Sequence, residues 1–368
     1  MFSNNICPQA RIDLGAIKAN YLAMRELIGQ GTIAAAVVKN DAYGLGAQRV
    51  AESLYEVGCR DFWVAYLKEA IDIRRVLPLD CNIYFLQGFH QSYINLIKTY
   101  KIIPVINSID EFNNAKRNNI PMVLHFDTGL SRLGLRPEDV QSILENIKHE
   151  HVCYVISHLS SADDKESTIS NQQKIRFDAI LSEIKSVVPN VKAGVSASAG
   201  ALLGREFNYD MVRIGAFLYG IEISADSIIK PKNVFSLKTT ILQKYEIEKG
   251  TAVGYGATYT ATKKMTVAIL SIGYADGIKR SLSNTGTVLF YDSEKNPYRA
   301  DIIGRISMDL LACDVTDIPE HITQVNLEAY ILDENYSIND MAKDAGTIPY
   351  EILTSINFKS KRFEIEYV

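Results

Sequence analysis

The sequence predicts an α/β protein in two parts, an N-terminal (β/α)8 TIM-like barrel and a C-terminal, mostly antiparallel β-domain. Three observations carry this. Eight short apolar runs alternate with amphipathic stretches between residue 10 and about residue 225. From about residue 230 the apolar runs continue without helices between them. The chain has 368 residues and is 47% hydrophobic, enough for more than one core.

The eight runs are residues 33–38, 62–65, 82–86, 102–106, 122–126, 153–157, 191–195 and 211–214. Each is short, bounded by polar residues or glycine, and apolar on both faces, as parallel strands covered by helices are. Ile17, Tyr21, Met24 and Ile28 share one helical face after Asp13, a candidate cap. Val50, Leu54 and Val57 do the same before Gly58, a candidate C-terminal stop. A doubly wound open sheet is the alternative that pattern alone leaves open. In the second part, residues 235–242, 266–272, 287–291, 310–314 and 325–332 read as strands. A helix over 338–345 and a strand over 362–368 follow. The expected domains are 8–228 and 229–368, with 229–234 as linker, and residues 1–12 are left open to join the second.

Bulk properties exclude several classes. The net charge is −4, from 39 basic and 43 acidic side chains, so there is no basic excess to bind nucleic acid. No run approaches the roughly 18 apolar residues of a membrane span. The first residues lack the basic start and apolar run of a signal peptide. The five cysteines are odd in number and scattered without a CxxC, which argues for a reducing compartment and against a disulfide framework or a zinc site. A soluble cytoplasmic protein without a metal is expected.

In a barrel, reactive groups sit at the C-terminal ends of the strands. Lys39 follows the first apolar run, Arg132 the fifth, His158 the sixth and Ser198 the seventh, while Arg213 lies within the eighth. Five polar groups are thereby expected on one rim. Singly, each has an ordinary explanation: a snorkelling lysine, solvated arginines, a satisfied core histidine, a small-residue turn. Lys39 behind an apolar strand is also a place where desolvation lowers an amine's pKa and favours a Schiff base.

The segment Ala36-Val37-Val38-Lys39-Asn40-Asp41-Ala42-Tyr43-Gly44-Leu45-Gly46 resembles the pyridoxal phosphate (PLP) segment of alanine racemases. The resemblance continues in order: Asp127-Thr128-Gly129 to Arg132-Leu133-Gly134; Ser157-His158; Val212-Arg213-Ile214-Gly215 to Leu218-Tyr219-Gly220; Tyr255-Gly256-Ala257-Thr258-Tyr259; Ile272-Gly273-Tyr274-Ala275-Asp276-Gly277; Gly304-Arg305-Ile306-Ser307-Met308-Asp309; and Gly346-Thr347-Ile348-Pro349-Tyr350-Glu351. Any one motif is weak, whereas the ordered set is specific.

The resemblance implies that Lys39 carries PLP and is the base on the D side of Cα, with Tyr255 the opposing acid/base on the L side. A tyrosine ordinarily keeps its proton to about pH 10, so a base of this kind needs a cation beside it. Arg132 matches the arginine near that tyrosine, and His158 the histidine beside the cofactor ring. Arg213 matches the arginine at the pyridine nitrogen, where a permanent cation keeps the nitrogen unprotonated and disfavours transamination. Tyr43, Ser198, Gly215, Ala216 and Tyr350 match the phosphate-binding positions. Met308 matches the residue whose amide contacts the substrate carboxylate, and Tyr274 and Asp309 lie beside it among the substrate-binding positions. A homodimer with composite sites is implied, in which the β-domain brings Tyr255 and Met308 to the partner's barrel. The implied role is supply of D-alanine for peptidoglycan.

Four positions depart from the family's pattern. His125 stands where many members have a carbamylated lysine, so Arg132 must be oriented by His125 itself, a bound anion or water. Leu45 replaces a histidine, Ala197 an asparagine, and Ser307 a common cysteine. Competing readings are a racemase of another small amino acid such as serine, a barrel-type PLP decarboxylase, and a non-catalytic PLP-binding protein. Arg213 argues against the decarboxylase, and the β-domain carrying Tyr255 argues against the last.

Overall fold

The structure is a computed structural model that describes residues 7–147, 151–224, 227–356 and 363–368. All eight expected barrel strands form: Ile33–Val37, Asp61–Val64, Asn82–Phe85, Ile102–Ile106, Met122–His125, Val152–Ile156, Lys192–Gly194 and Met211–Ile214. They make one parallel sheet in the order seventh, sixth, fifth, fourth, third, second, first, eighth. The seventh and eighth share no full ladder, but the Asp210 amide donates to Ala193 O (3.0 Å) and that of Arg213 to Ser196 O (3.0 Å). An isolated bridge between Ala197 and Arg213 completes the seam. The sheet therefore curls into a nearly closed barrel, and the open-sheet alternative falls.

Local chemistry explains the elements. Helix Leu14–Ile28 starts at Asp13, whose carboxylate accepts from the Ala16 amide at 2.7 Å. Its stripe of Ile17, Tyr21, Met24 and Ile28 is buried against the barrel, and the Tyr21 hydroxyl donates to Ala34 O in the first strand. That strand is built of Ile33, three alanines and Val37, small enough to bring helices close on the outside. The second helix, Ala47–Glu56, ends at Val57, one residue before the expected glycine.

The second region is an eight-stranded sheet in the order Met265–Leu270, Leu311–Asp314, Pro297–Ile303, Thr287–Tyr291, Glu328–Leu332, Phe235–Ile247, Gln9–Ile12 and Glu364–Tyr367. Its ladders are antiparallel except the last, where residues 9–12 run parallel to residues 364–367. Residues 9–12 thus do join this sheet, whereas residues 1–6 lie outside the described residues. Phe235–Ile247 runs beyond the expected end at 242, and a bulge at Ile241/Gln243 lets it pair with Met265–Leu270. Among the elements not expected, besides the short strand pair Ala252–Val253 and Tyr259–Thr260, two are longer. Pro297–Ile303 keeps Pro297, Arg299 and Asp301 exposed at alternate positions, so its apolar signal is diluted. Pro349–Ser355 is a helix opened by proline at its first position. The expected strand from residue 362 starts at Glu364, and Arg362 lies outside the described residues. Among the described residues no helix is long and apolar enough to cross a membrane.

Candidate functional site

The first barrel strand ends in an unusual turn. Lys39 follows Val38, and Asn40, Asp41, Ala42 and Tyr43 then all take left-handed backbone, with φ of 51°, 57°, 55° and 58°. Such a conformation costs an L residue roughly 1–2 kcal/mol, less for Asn and Asp. The turn is held by the Ala42 amide to Val38 O (2.9 Å), the Gly44 amide to Asn40 O (2.9 Å) and the Asp41 carboxylate receiving the Ala47 amide (2.9 Å). The Tyr43 ring is pinned against Tyr219 at 4.7 Å and faces Tyr350 of the β-domain at 6.0 Å.

The polar residues expected on one rim do influence one another. Burial, then the charges of Arg132 and Arg213, hold the Lys39 amine below the ordinary lysine range. Burial also depresses His158, to about 3, helped by Arg213, Arg132, Lys39 and His125. His158 is therefore neutral near pH 7. Arg213 is buried, and its guanidinium donates to the carbonyls of Gly194 (3.1 Å), Ser157 (2.6 Å) and Val195 (3.3 Å). Burial alone brings it down to about 10, so it stays cationic. Among the described residues no carboxylate forms an ion pair with Lys39, Arg132 or Arg213. A pocket with this surplus of positive charge suits an anionic ligand.

A second cluster sits beside the turn. The Ser198 hydroxyl oxygen accepts from the amides of Gly215 (3.0 Å) and Phe217 (3.5 Å), which turns its own proton outward. A Cβ on Gly215 would stand 2.8 Å from the Tyr43 hydroxyl, so glycine keeps open a cradle beside that hydroxyl. Ala216 begins a 3-10 turn, Ala216–Tyr219, whose first amides have no acceptor within it. Hydroxyl and amide donors beside a cationic, amine-bearing pocket match what a phosphorylated aldehyde cofactor needs: donors for phosphate and an amine of lowered basicity for the carbonyl.

Three supporting residues were not singled out from the sequence. Burial pushes the Asp127 carboxyl up, but the amides of Gly129, Leu130 and Ser131, each at 3.0 Å, and Arg136 hold it below the usual range. Asp127 thereby shapes the loop that carries Arg132. An aspartate ahead of Thr-Gly is the local signal for such a turn. Buried Gln173 donates to His158 O (3.0 Å) and accepts from the Ser160 amide (2.8 Å), which ties down the loop after the sixth strand. Asn107 accepts from His125 Nδ1 at 2.7 Å while its own amide nitrogen donates to Leu86 O and Val105 O. That pattern assigns the imidazole proton to Nδ1 and leaves Nε2 an acceptor. Burial, Arg213 and Arg132 depress His125 to about 4, so it too is neutral. No local sequence signal marks Gln173 or Asn107.

The β-domain residues differ. Tyr255 is 71% exposed and Met308 53% exposed, and Tyr274 and Asp309 are also exposed. Their loops are knit together: the Ala275 amide donates to Met308 O (2.9 Å), and Gly254 backs against Arg305 so closely that a Cβ would meet its amide at 3.1 Å. Among the described residues the Tyr255 hydroxyl makes no hydrogen bond, and its charge does not figure at Lys39. Within one chain, then, Lys39, Arg132, His158, His125 and Arg213 come together, Tyr350 joins Tyr43, and Tyr255, Tyr274, Met308 and Asp309 form a separate exposed edge.

A (β/α)8 barrel with a lysine of lowered basicity at its rim, followed by a β-domain, defines a class of enzyme scaffold. The family model for the alanine racemase N-terminal domain matches residues 12–223, and that for its C-terminal domain matches residues 234–364. The chain belongs to the alanine racemase family, which consists of isomerases. It is 38% identical to the alanine racemase of Brucella abortus (strain 2308), covering 95% of this chain and 92% of that protein. It is 36% identical to that of Rickettsia rickettsii (strain Sheila Smith), covering 95% and 97%. Among solved structures, alanine racemase from Bartonella henselae with covalently bound pyridoxal phosphate superposes with a TM-score of 0.90 at 33% identity, over 98% of this chain and 99% of that one. The biosynthetic enzyme from Pseudomonas aeruginosa gives 0.88 at 29%, over 98% and 99%.

Proposed function

We propose that the chain interconverts L- and D-alanine as a cytoplasmic homodimer, with pyridoxal 5'-phosphate held on Lys39, and supplies D-alanine for peptidoglycan. The observation that carries the reading is the Lys39 amine kept below its ordinary pKa by burial and by Arg132 and Arg213, neither of which is ion-paired to a carboxylate among the described residues. Tyr43, Ser198, Gly215, Ala216 and Tyr350 would hold the phosphate, His158 the ring face and Arg213 the ring nitrogen. When bound, the cofactor supplies an electron-withdrawing ring that makes the substrate's Cα hydrogen acidic.

The chain's own groups do the rest. Lys39, whose charge burial and the two arginines disfavour, takes or returns a proton on the D face of Cα. The partner subunit's Tyr255 does so on the L face. Arg132 binds near the substrate carboxylate and keeps a positive charge beside that tyrosine. Arg213 stays cationic and denies the ring nitrogen a proton, which favours prompt reprotonation of Cα over transamination. Met308, Tyr274 and Asp309 line the substrate entrance from the partner. The exposure of Tyr255, Tyr274 and Met308 in a single chain supports a composite site.

The test is proton exchange. The protein with PLP is incubated with L-alanine, and separately with D-alanine, in deuterated water. Loss of Cα hydrogen is followed by NMR and chirality by chromatography. Both enantiomers should racemise with deuterium incorporation, and Tyr255→Phe should lose exchange chiefly from L-alanine. Bound cofactor without exchange from either enantiomer would refute the reading.

A further inference from the structure

Behind Lys39 lies a carboxylate to which the reading above gives no role. Glu69 is the third residue of the helix Leu67–Arg74, which follows the second barrel strand. One oxygen, Oε2, accepts the amides of Ala65 (2.8 Å) and Tyr66 (3.0 Å) and closes the start of that helix. The other, Oε1, reaches across to the first strand and accepts the Asn40 amide at 2.5 Å. Asn40 is the first of the four left-handed residues after Lys39.

We propose that Glu69 is a positioning residue: its carboxylate staples the strained turn behind Lys39 to the next strand end and so fixes how the lysine amine is presented at the barrel rim. The proposal rests on the reading of Lys39 as the cofactor lysine. A left-handed turn of non-glycine residues persists only when its surroundings over-determine it. Asp41 and Tyr43 anchor its far end, and Glu69 is the side-chain anchor at its near end. The same carboxylate also acts on the amine through space. Facing Lys39 are Arg132 and Arg213, which disfavour its charge, and Glu69, which favours it. Glu69 thereby moderates a basicity that burial and two guanidinium groups push down. It has divided its two oxygens between two jobs, so an amide in its place satisfies only one of them, because an NH₂ cannot accept from a backbone N–H.

The variants are Glu69→Gln and Glu69→Asp in the full chain, each checked by thermal unfolding. The first readout is hydrogen exchange of the amides of residues 40–43, with and without PLP. The second is the pH at which the Lys39 amine of the PLP-free protein becomes reactive to an acylating reagent, read by peptide mass spectrometry. Glu69→Gln should speed exchange in the turn by about tenfold or more and move the Lys39 labelling midpoint to lower pH, with a parallel fall in kcat rather than a rise in KM. Glu69→Asp keeps the charge and should leave the midpoint near the parent's. If the turn exchanges as in the parent and the midpoint stays put in Glu69→Gln, Glu69 only starts its own helix and the proposal falls. If both readouts shift while the parent protein fails to exchange alanine Cα hydrogen, the positioning role stands and the racemase reading falls.

Discussion

The barrel rim and the exposed edge of the β-domain make opposite demands on the chain. At the rim, Lys39, His158, His125 and Arg213 are mostly shielded from solvent and act on one another, and their protonation is set by burial and by neighbouring cations. At the edge, Tyr255 and Met308 stand in solvent, and their loops are held by backbone contacts and by the Asn284 and Ser283 side chains, which accept the amides of Gly304 and Ile306. The rim cluster is finished by folding of one chain, whereas the edge residues remain exposed in it. The contrast teaches that a single chain can tune an amine at its rim while leaving a tyrosine of its β-domain in solvent; in the function proposed above, assembly brings the two together.

The contrast can be broken most sharply at Lys39. On the proposed function, Lys39→Ala should cost alanine racemisation more than about 10⁴-fold, since it would remove both the attachment point and an acid/base group worth about 10²–10⁴; a chiral assay with PLP in excess measures it. Tyr255→Phe should cost about 10²–10⁴ in exchange from L-alanine, with a melting temperature within about 1 °C of the parent because it removes only a hydroxyl that makes no hydrogen bond among the described residues. Mixing these two variants sharpens the comparison further. If Lys39 and Tyr255 of one site come from different chains, random reassortment should restore about a quarter of parental activity, from half the dimers each holding one intact site. No recovery would place both groups in one chain.

Smaller effects separate the rim from the edge by pH. In the folded chain His125 and His158 are held near 4 and 3, so between about pH 6.5 and those values the unfolded chain binds more protons. Stability present above that window should be lost as acid is added, by about 2 kcal/mol for each histidine at pH 5. Denaturant melts at pH 7 and pH 5 measure this, and Tyr255→Phe should not alter the slope. His125→Gln should flatten it and lower kcat by only a few-fold, through Arg132.

Much of this is legible in the amino-acid sequence. The eight barrel strands stood out because strands buried on both faces leave unbroken apolar runs, whereas Pro297–Ile303, polar on one face, left none. Lys39, Arg132, His158 and Arg213 were legible as a set because their order matches a family, not because any one announces itself. The carbonyl cage around Arg213, the Asn107 amide that sets the His125 tautomer, and the reach of Glu69 to Asn40 join residues far apart in sequence, and such contacts leave no local pattern. Nor does local pattern show that Tyr255 would stand apart from Lys39 in a lone chain.

The parallel ladder between residues 9–12 and 364–367 orders events in time. A ribosome delivers the whole barrel before it delivers either strand that pairs with residues 9–12, one at residues 235–238 and one at residues 364–367. The barrel can close as soon as its eighth strand emerges, but the sheet beside it cannot be completed until the last strand arrives. Pairings this distant are slow to form. During that interval the lysine-bearing half can be assembled while the tyrosine-bearing half is still unmade.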